Sequence, residues 1–137
     1  SFYNIVLQAR YMFRISDGVR KLLQKLSRIE TILRDFLILV EQNAMTEHNP
    51  SFYSDKLCIS TQYLSIVLKE TTGHTANYWI AKKITAQAKV LLRTPNITIK
   101  EITDKLHFAD QSSFGKFFKK HTGQSPKKYR EEFATPR

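Results

Sequence analysis

Apolar residues recur at steps of three and four through most of the chain, and no long stretch alternates apolar and polar with period two, so the pattern predicts an all-helical protein. Four Gly and four Pro in 137 residues leave few breakers. Helix starts are legible: Ser60, Thr75 and Asp110 are N-caps, Thr98-Ile99-Lys100-Glu101 is a capping box, and Ser125-Pro126 sets a cap before a proline at the first helical position. Gly73 and Gly123 are natural stops. These signals predict helices near 51–57, 61–72, 76–92, 99–106, 111–121 and 126–133. In the third, Ile80, Ile84, Ala88, Leu91 and Leu92 share a face, which makes it a packed connector rather than a free linker.

The first fifty residues carry another pattern. Ile15, Val19, Leu22, Leu26, Ile29, Leu33, Phe36 and Val40 follow at alternating steps of four and three, a heptad stripe. It reads either as a dimerising helix or as two helices packed within the chain, the second capped at Ser27-Arg28-Ile29-Glu30. Gly18 and the additional apolar residues Leu23, Ile32, Leu37 and Leu39 widen the stripe and favour the split, with the more N-terminal helix as the self-association surface.

One unit occurs twice. DKLCISTQYLSIVLKETTG at 55–73 and DKLHFADQSSFGKFFKKHTG at 104–123 differ in length by one residue, near Ala109. Each reads as the end of a short helix, a tight turn and a second helix, the shape of a helix-turn-helix whose second helix can enter a DNA major groove. Leu57, Ile59, Leu64, Val67 and Leu68 in the first copy, and Leu106, Phe108, Phe114, Phe117 and Phe118 in the second, form the inward faces. Aligned from the lysine ends, Gln62 pairs with Ser112, Ser65 with Gly115, Ile66 with Lys116 and Lys69 with Lys119, all opposite the apolar set. Gln62, Gln111 and Ser112 can donate and accept at base edges, and Lys116 can reach guanine acceptors or a phosphate. Lys69, Lys119 and Lys120, later in the helices, suit phosphate, as does Thr61 at a helix start. A connector over 76–92 spans roughly 25 Å. With the units added at each end it could hold two reading helices about 34 Å apart, one turn of duplex.

Charge fits that picture. The net charge is +10, of which residues 1–50 contribute +2 and residues 51–137 contribute +8, so the excess travels with the repeat and points to a polyanionic partner. The 42% hydrophobic and 25% charged content is that of a globular chain. The longest apolar run, FLILV at 36–40, is too short to span a bilayer, and no export signal is present at the start. The initial Ser suggests an excised piece. Cys58, between Leu57 and Ile59, reads as a small core residue, and a lone cysteine fits a reducing compartment and offers neither a disulfide nor a zinc cluster. His48, His74, His107 and His121 are scattered, and there is no Gly-rich phosphate loop, so no enzyme, metal or cofactor is expected. His107, in the second turn, reads as a hydrogen-bonded structural residue. The rival reading is an all-helical interaction module whose basic face holds nucleic acid without specificity; RNA is disfavoured because most Phe residues have core spacing.

Residues 51–133 resemble the DNA-binding domain of the AraC family of transcription regulators. The resemblance rests on I-x-E-I at 99–102, F-x-x-x-x-x-F at 108–114, F-K-K at 118–120 and G-x-S-P-x-x-Y-R at 123–130, beside the connector-like TANYWIAKKITAQAKVLLR. It implies two helix-turn-helix subdomains (about 51–73 and 99–123) bridged by a long helix (76–92), bound to double-stranded promoter DNA and recruiting RNA polymerase in the bacterial cytoplasm, associated with the nucleoid when bound. Base contacts carried over by position are Gln62, Ser65, Ile66, Gln111, Ser112, Gly115 and Lys116. Residues 1–29 would be a helical dimerisation segment, with a homodimer formed through 15–40, and 30–137 the DNA-binding domain; the family's N-terminal sensor, and with it any effector response, is expected to be missing. Ile66 stands where many relatives carry Arg, Gly115 offers no side chain, and Thr103 and His107 replace the Ala and Gly often found there.

Overall fold

A computed structural model describes residues 2–5 and 16–134. Among the described residues it is helical without strands: after a turn of helix at 2–5 come α1 (Asp17–Asn43), α2 (Pro50–Lys56), α3 (Thr61–Thr72), α4 (Ala76–Arg93), α5 (Ile99–Lys105), α6 (Gln111–Thr122) and α7 (Pro126–Ala134). The starts follow the caps read from sequence. The side chains of Ser60, Thr75, Thr98 and Asp110 accept from the amides of Tyr63, Tyr78, Glu101 and Ser113, and Ser125 Oγ accepts from Lys128. Asn49, followed by Pro50, adds a cap not anticipated. Gly73 and Gly123 end α3 and α6 in the left-handed region, at φ +79° and +82°, where a Cβ would clash with its own backbone.

The split of the N-terminal stripe is corrected. α1 runs unbroken for 27 residues from its Ser16 cap, through the expected restart at Ser27, whose carbonyl accepts from the Thr31 hydroxyl. A capping box stabilises a start only where the chain is already leaving the helix; with no Gly or Pro at 24–30, continuing adds a backbone hydrogen bond per residue at little cost. The stripe changes role along α1. Ile32, Phe36 and Val40 are buried, whereas Val19, Leu22 and Leu26 stay exposed; Ile15 lies outside the described residues.

Two cores result. The first joins the C-terminal half of α1 to α2, α3 and the start of α4, centred on Phe36, Tyr53, Leu64, Leu68 and Ile80. The second joins the end of α4 to α5, α6 and α7, centred on Leu92, Ile102, Leu106, Phe114 and Phe118. α4 touches both through one face, with Ile80 and Ile84 in the first core and Ala88 and Leu92 in the second. Arg130 closes its end, donating from Nε to the Leu92 carbonyl at 2.9 Å and from Nη2 at 3.4 Å to the Leu91 carbonyl, which also accepts from the Thr94 amide, so the guanidinium caps the last turn. The Tyr-Arg ending of the sequence motif thus acquires a structural role that spacing alone does not reveal.

Candidate DNA-binding surface

The two helix-turn-helix turns share one geometry. After α2, the Cys58 amide donates to the Asp55 carbonyl and Ile59 to Ser54; after α5, His107 donates to Asp104 and Phe108 to Thr103. Cys58 and His107 sit at φ +57° and +60°, the left-handed step each turn needs. That step swings the side chain outward, so Cys58 is exposed and its assignment to the core is corrected: Leu57 and Ile59 face inward and the residue between them cannot. His107 is hydrogen-bonded, as read, through Nδ1 to the Lys105 carbonyl at 3.1 Å, although its ring is exposed. Ala109, the extra residue, lies between Phe108 and the Asp110 cap.

The turns aim α3 and α6 alike. α3 buries Leu64, Val67 and Leu68 and exposes Thr61, Gln62, Ser65, Ile66 and Lys69. α6 buries Phe114 and Phe118 and exposes Gln111, Ser112, Lys116, Lys119 and Lys120, with Gly115 half-exposed among them. The residues singled out from sequence therefore gather on the outer faces of two helices. Ile66 is 54% exposed in the middle of a polar face, where a β-branched side chain gains nothing from water. Thr61 is less free than its position suggested, because its hydroxyl is shared with that of buried Ser54 at 2.9 Å.

Electrostatics favour an anion most on the α6 face, since on α3 the exposed Lys69 is followed by the exposed Glu70. Among the described residues the side-chain ion pairs are Arg34–Asp35, Lys83–Glu41 and Lys100–Asp104, and none uses Lys69, Lys116, Lys119 or Lys120. Asp110, at the start of α6, is held below the ordinary carboxylate range by the hydrogen bonds it accepts from Ser113, with a smaller contribution from Lys116. At the far end of α6, burial and then Lys120 hold the His121 imidazole below its ordinary range. A cationic-aromatic group at the start of α4 escaped the sequence reading: His74, just before the helix, stacks on Tyr78 at 3.8 Å, and the Lys82 ammonium lies over the Tyr78 and Trp79 rings at 5.8 and 5.4 Å. The spacing Tyr78, Trp79, Lys82 on one helix was the available signal. Among the described residues no cluster of His, Cys, Asp or Glu forms that could hold a metal, and no helix is long and apolar enough to cross a membrane.

A helix-turn-helix domain family matches residues 53–132. The chain is 32% identical over 77 residues to the Msm operon regulatory protein of Streptococcus mutans, covering 56% of this chain and 28% of that protein. It is 34% identical over 74 residues to the arabinose operon regulatory protein of Escherichia coli K12, covering 54% and 25% respectively, so it spans about a quarter of the length of these relatives. The C-terminal domain of AraT, a response regulator from Geobacillus stearothermophilus, superposes with a TM-score of 0.69 at 25% identity, over 74% of this chain and 84% of that one. With the paired turns, the paired outward faces and the bridging helix, these matches show that the chain belongs to the AraC-type helix-turn-helix family, whose members are DNA-binding transcription regulators rather than enzymes.

Proposed function

We propose that the chain reads double-stranded promoter DNA in two successive major grooves, α3 in one and α6 in the next. The observation that carries the reading is the matched placement of the two helices, each held inward at the same four-residue step, Leu64 and Leu68 in α3 and Phe114 and Phe118 in α6, and each exposing its opposite side; Phe117, read from the sequence as an inward residue of its own unit, packs instead on the first core. Gln62, Ser65 and Ile66 would contact bases in the first groove, Ile66 through a thymine methyl; Gln111, Ser112, Gly115 and Lys116 would do so in the second. Lys69, Lys119, Lys120 and the start of α3 at Thr61 would hold phosphates. The 18 residues of α4 give about 27 Å of spacing, which the flanking units extend toward one duplex turn.

Further partners follow from the same reading. The exposed Val19, Leu22 and Leu26 support a homodimer formed through the N-terminal part of the 15–40 stripe, whose Phe36 and Val40 are already covered by the first core, with residues 1–29 as the dimerisation segment and 30–137 as the DNA-binding domain. The relatives regulate operons by name, which supports a place beside RNA polymerase in the bacterial cytoplasm and nucleoid.

Titrating labelled promoter duplex at several salt concentrations tests the central claim. Specific binding should exceed binding to random duplex by about a thousandfold or more, and equal affinity at every salt would leave only the non-specific reading.

A further inference from the structure

We propose that Phe108, Phe117 and His48 form a clasp between the two helix-turn-helix units that fixes the angle between their reading helices; its consequence for DNA rests on the two-groove reading above. Phe108 belongs to the second unit's turn, yet it packs against both cores. Phe117, on α6, packs against the first core as well. The His48 ring, from the loop between α1 and α2, lies 4.9 Å from the Phe108 ring, and Phe108 lies 5.1 Å from Phe117.

The base of the clasp is anchored. His48 Nε2 contacts the Met45 carbonyl at 3.2 Å, and the buried Tyr53 hydroxyl donates to the adjacent Glu47 carbonyl at 2.7 Å. Beside the clasp the units diverge around an open cleft of about 450 Å³, floored by Ile80, Ala81 and Ile84 of α4. The aromatic contact is therefore a narrow brace added to the connecting helix, not one part of a broad packed interface.

The two copies are unequal here. Ile59, which holds the place of Phe108 in the first turn, packs only on its own core. The second turn alone carries the additional Ala109, directly after Phe108. An extra residue in the turn gives the chain the length to project a ring toward the other unit and still begin α6 with the same cap, so the mismatch in length between the repeats serves their joining.

The test uses the whole chain with His48→Ala, and with Phe108→Leu as a second variant that keeps an apolar side chain in the core. Amide residual dipolar couplings are measured without DNA. Both units of the parent should fit one alignment tensor; in the variants each unit should fit its own tensor while the couplings within it stay self-consistent. One shared tensor with unchanged orientation in both variants would overturn the clasp. Affinity is then measured for duplexes carrying both elements at varied spacing and for single elements. The variants should lose about three- to tenfold at the optimal spacing and accept other spacings more evenly, with single-element affinity unchanged. A parent that binds one element as well as two defeats the two-groove reading, whereas the couplings decide the clasp independently.

Discussion

Gly115→Ala separates the demands of folding from those of recognition. Gly115 lies inside α6, and a Cβ built on it meets nothing within 4 Å. Its φ is not in the left-handed region, which among the glycines only Gly73 and Gly123 adopt. Nothing in the fold therefore requires glycine there, and glycine inside a helix costs about 1 kcal/mol relative to alanine. The variant should be more stable by up to that amount, raising Tm by about 2–5 °C for a chain of this size. The same methyl would stand on the outer face among Gln111, Ser112 and Lys119. If α6 sits in a groove with its backbone close to the bases, the methyl must push it outward, at about the cost of one mismatched base pair, 1–3 kcal/mol or roughly five- to 150-fold in affinity. Urea denaturation reads the first effect, and fluorescence anisotropy on specific duplex reads the second. Ser65→Ala is the control at the matched position, since it removes a hydroxyl without adding bulk. A Gly115→Ala protein that is more stable and binds as tightly as the parent would show that this face does not approach DNA.

Three further outcomes are expected. Lys116→Ala should relax preference at one base position, while Lys119→Ala should weaken binding to all duplexes alike and reduce the salt slope by about 1; the reverse pattern in a binding-site selection would exchange their roles. Cys58→Gly and His107→Gly should each stabilise by about 0.5–1 kcal/mol, the left-handed penalty less the added freedom of the unfolded chain, whereas Cys58→Ala should be neutral, and a loss above about 1 kcal/mol on Cys58→Ala would return the thiol to the core. Burial, aided by Glu47, pushes the Tyr53 phenol from 10.0 up to about 12. Because the folded value is raised, its stabilising contribution is complete below pH 10 and is lost as pH rises toward about 12; Tyr53→Phe should flatten the denaturation midpoint across that window.

The helix boundaries were readable because each is written in local chemistry: Ser60, Thr75, Thr98 and Asp110 sit beside the amides they cap. The outward faces of α3 and α6 were readable for a similar reason, since removing the three-and-four spaced apolar residues leaves them. Cys58 failed because neighbouring apolar letters imply a continuous inward row, while a single left-handed residue rotates one side chain out of it. The sequence held a clue in its other copy: His107, one repeat later, replaces a Gly often found in the family, and a position that favours Gly is a position with positive φ. The clasp and the Arg130 cap were not legible, because each joins elements about 40 to 60 residues apart and no local rule selects their partners.

The two reading faces differ in charge as well as in letters, and this gives the brace between them a purpose. On the proposed reading α6 presents Lys116, Lys119 and Lys120, whereas α3 presents one lysine, Lys69, beside neutral Gln62, Ser65 and Ile66. Phosphate contacts supply most non-specific affinity, so α6 would hold DNA far more strongly than α3 could alone. A weakly charged reader gains occupancy chiefly by being delivered to its groove at high effective concentration, and that concentration falls steeply once the geometry no longer matches. Fixing the angle between α3 and α6 lets the basic half recruit the neutral half. Loosening it should therefore cost recognition at the first element before it costs binding at the second.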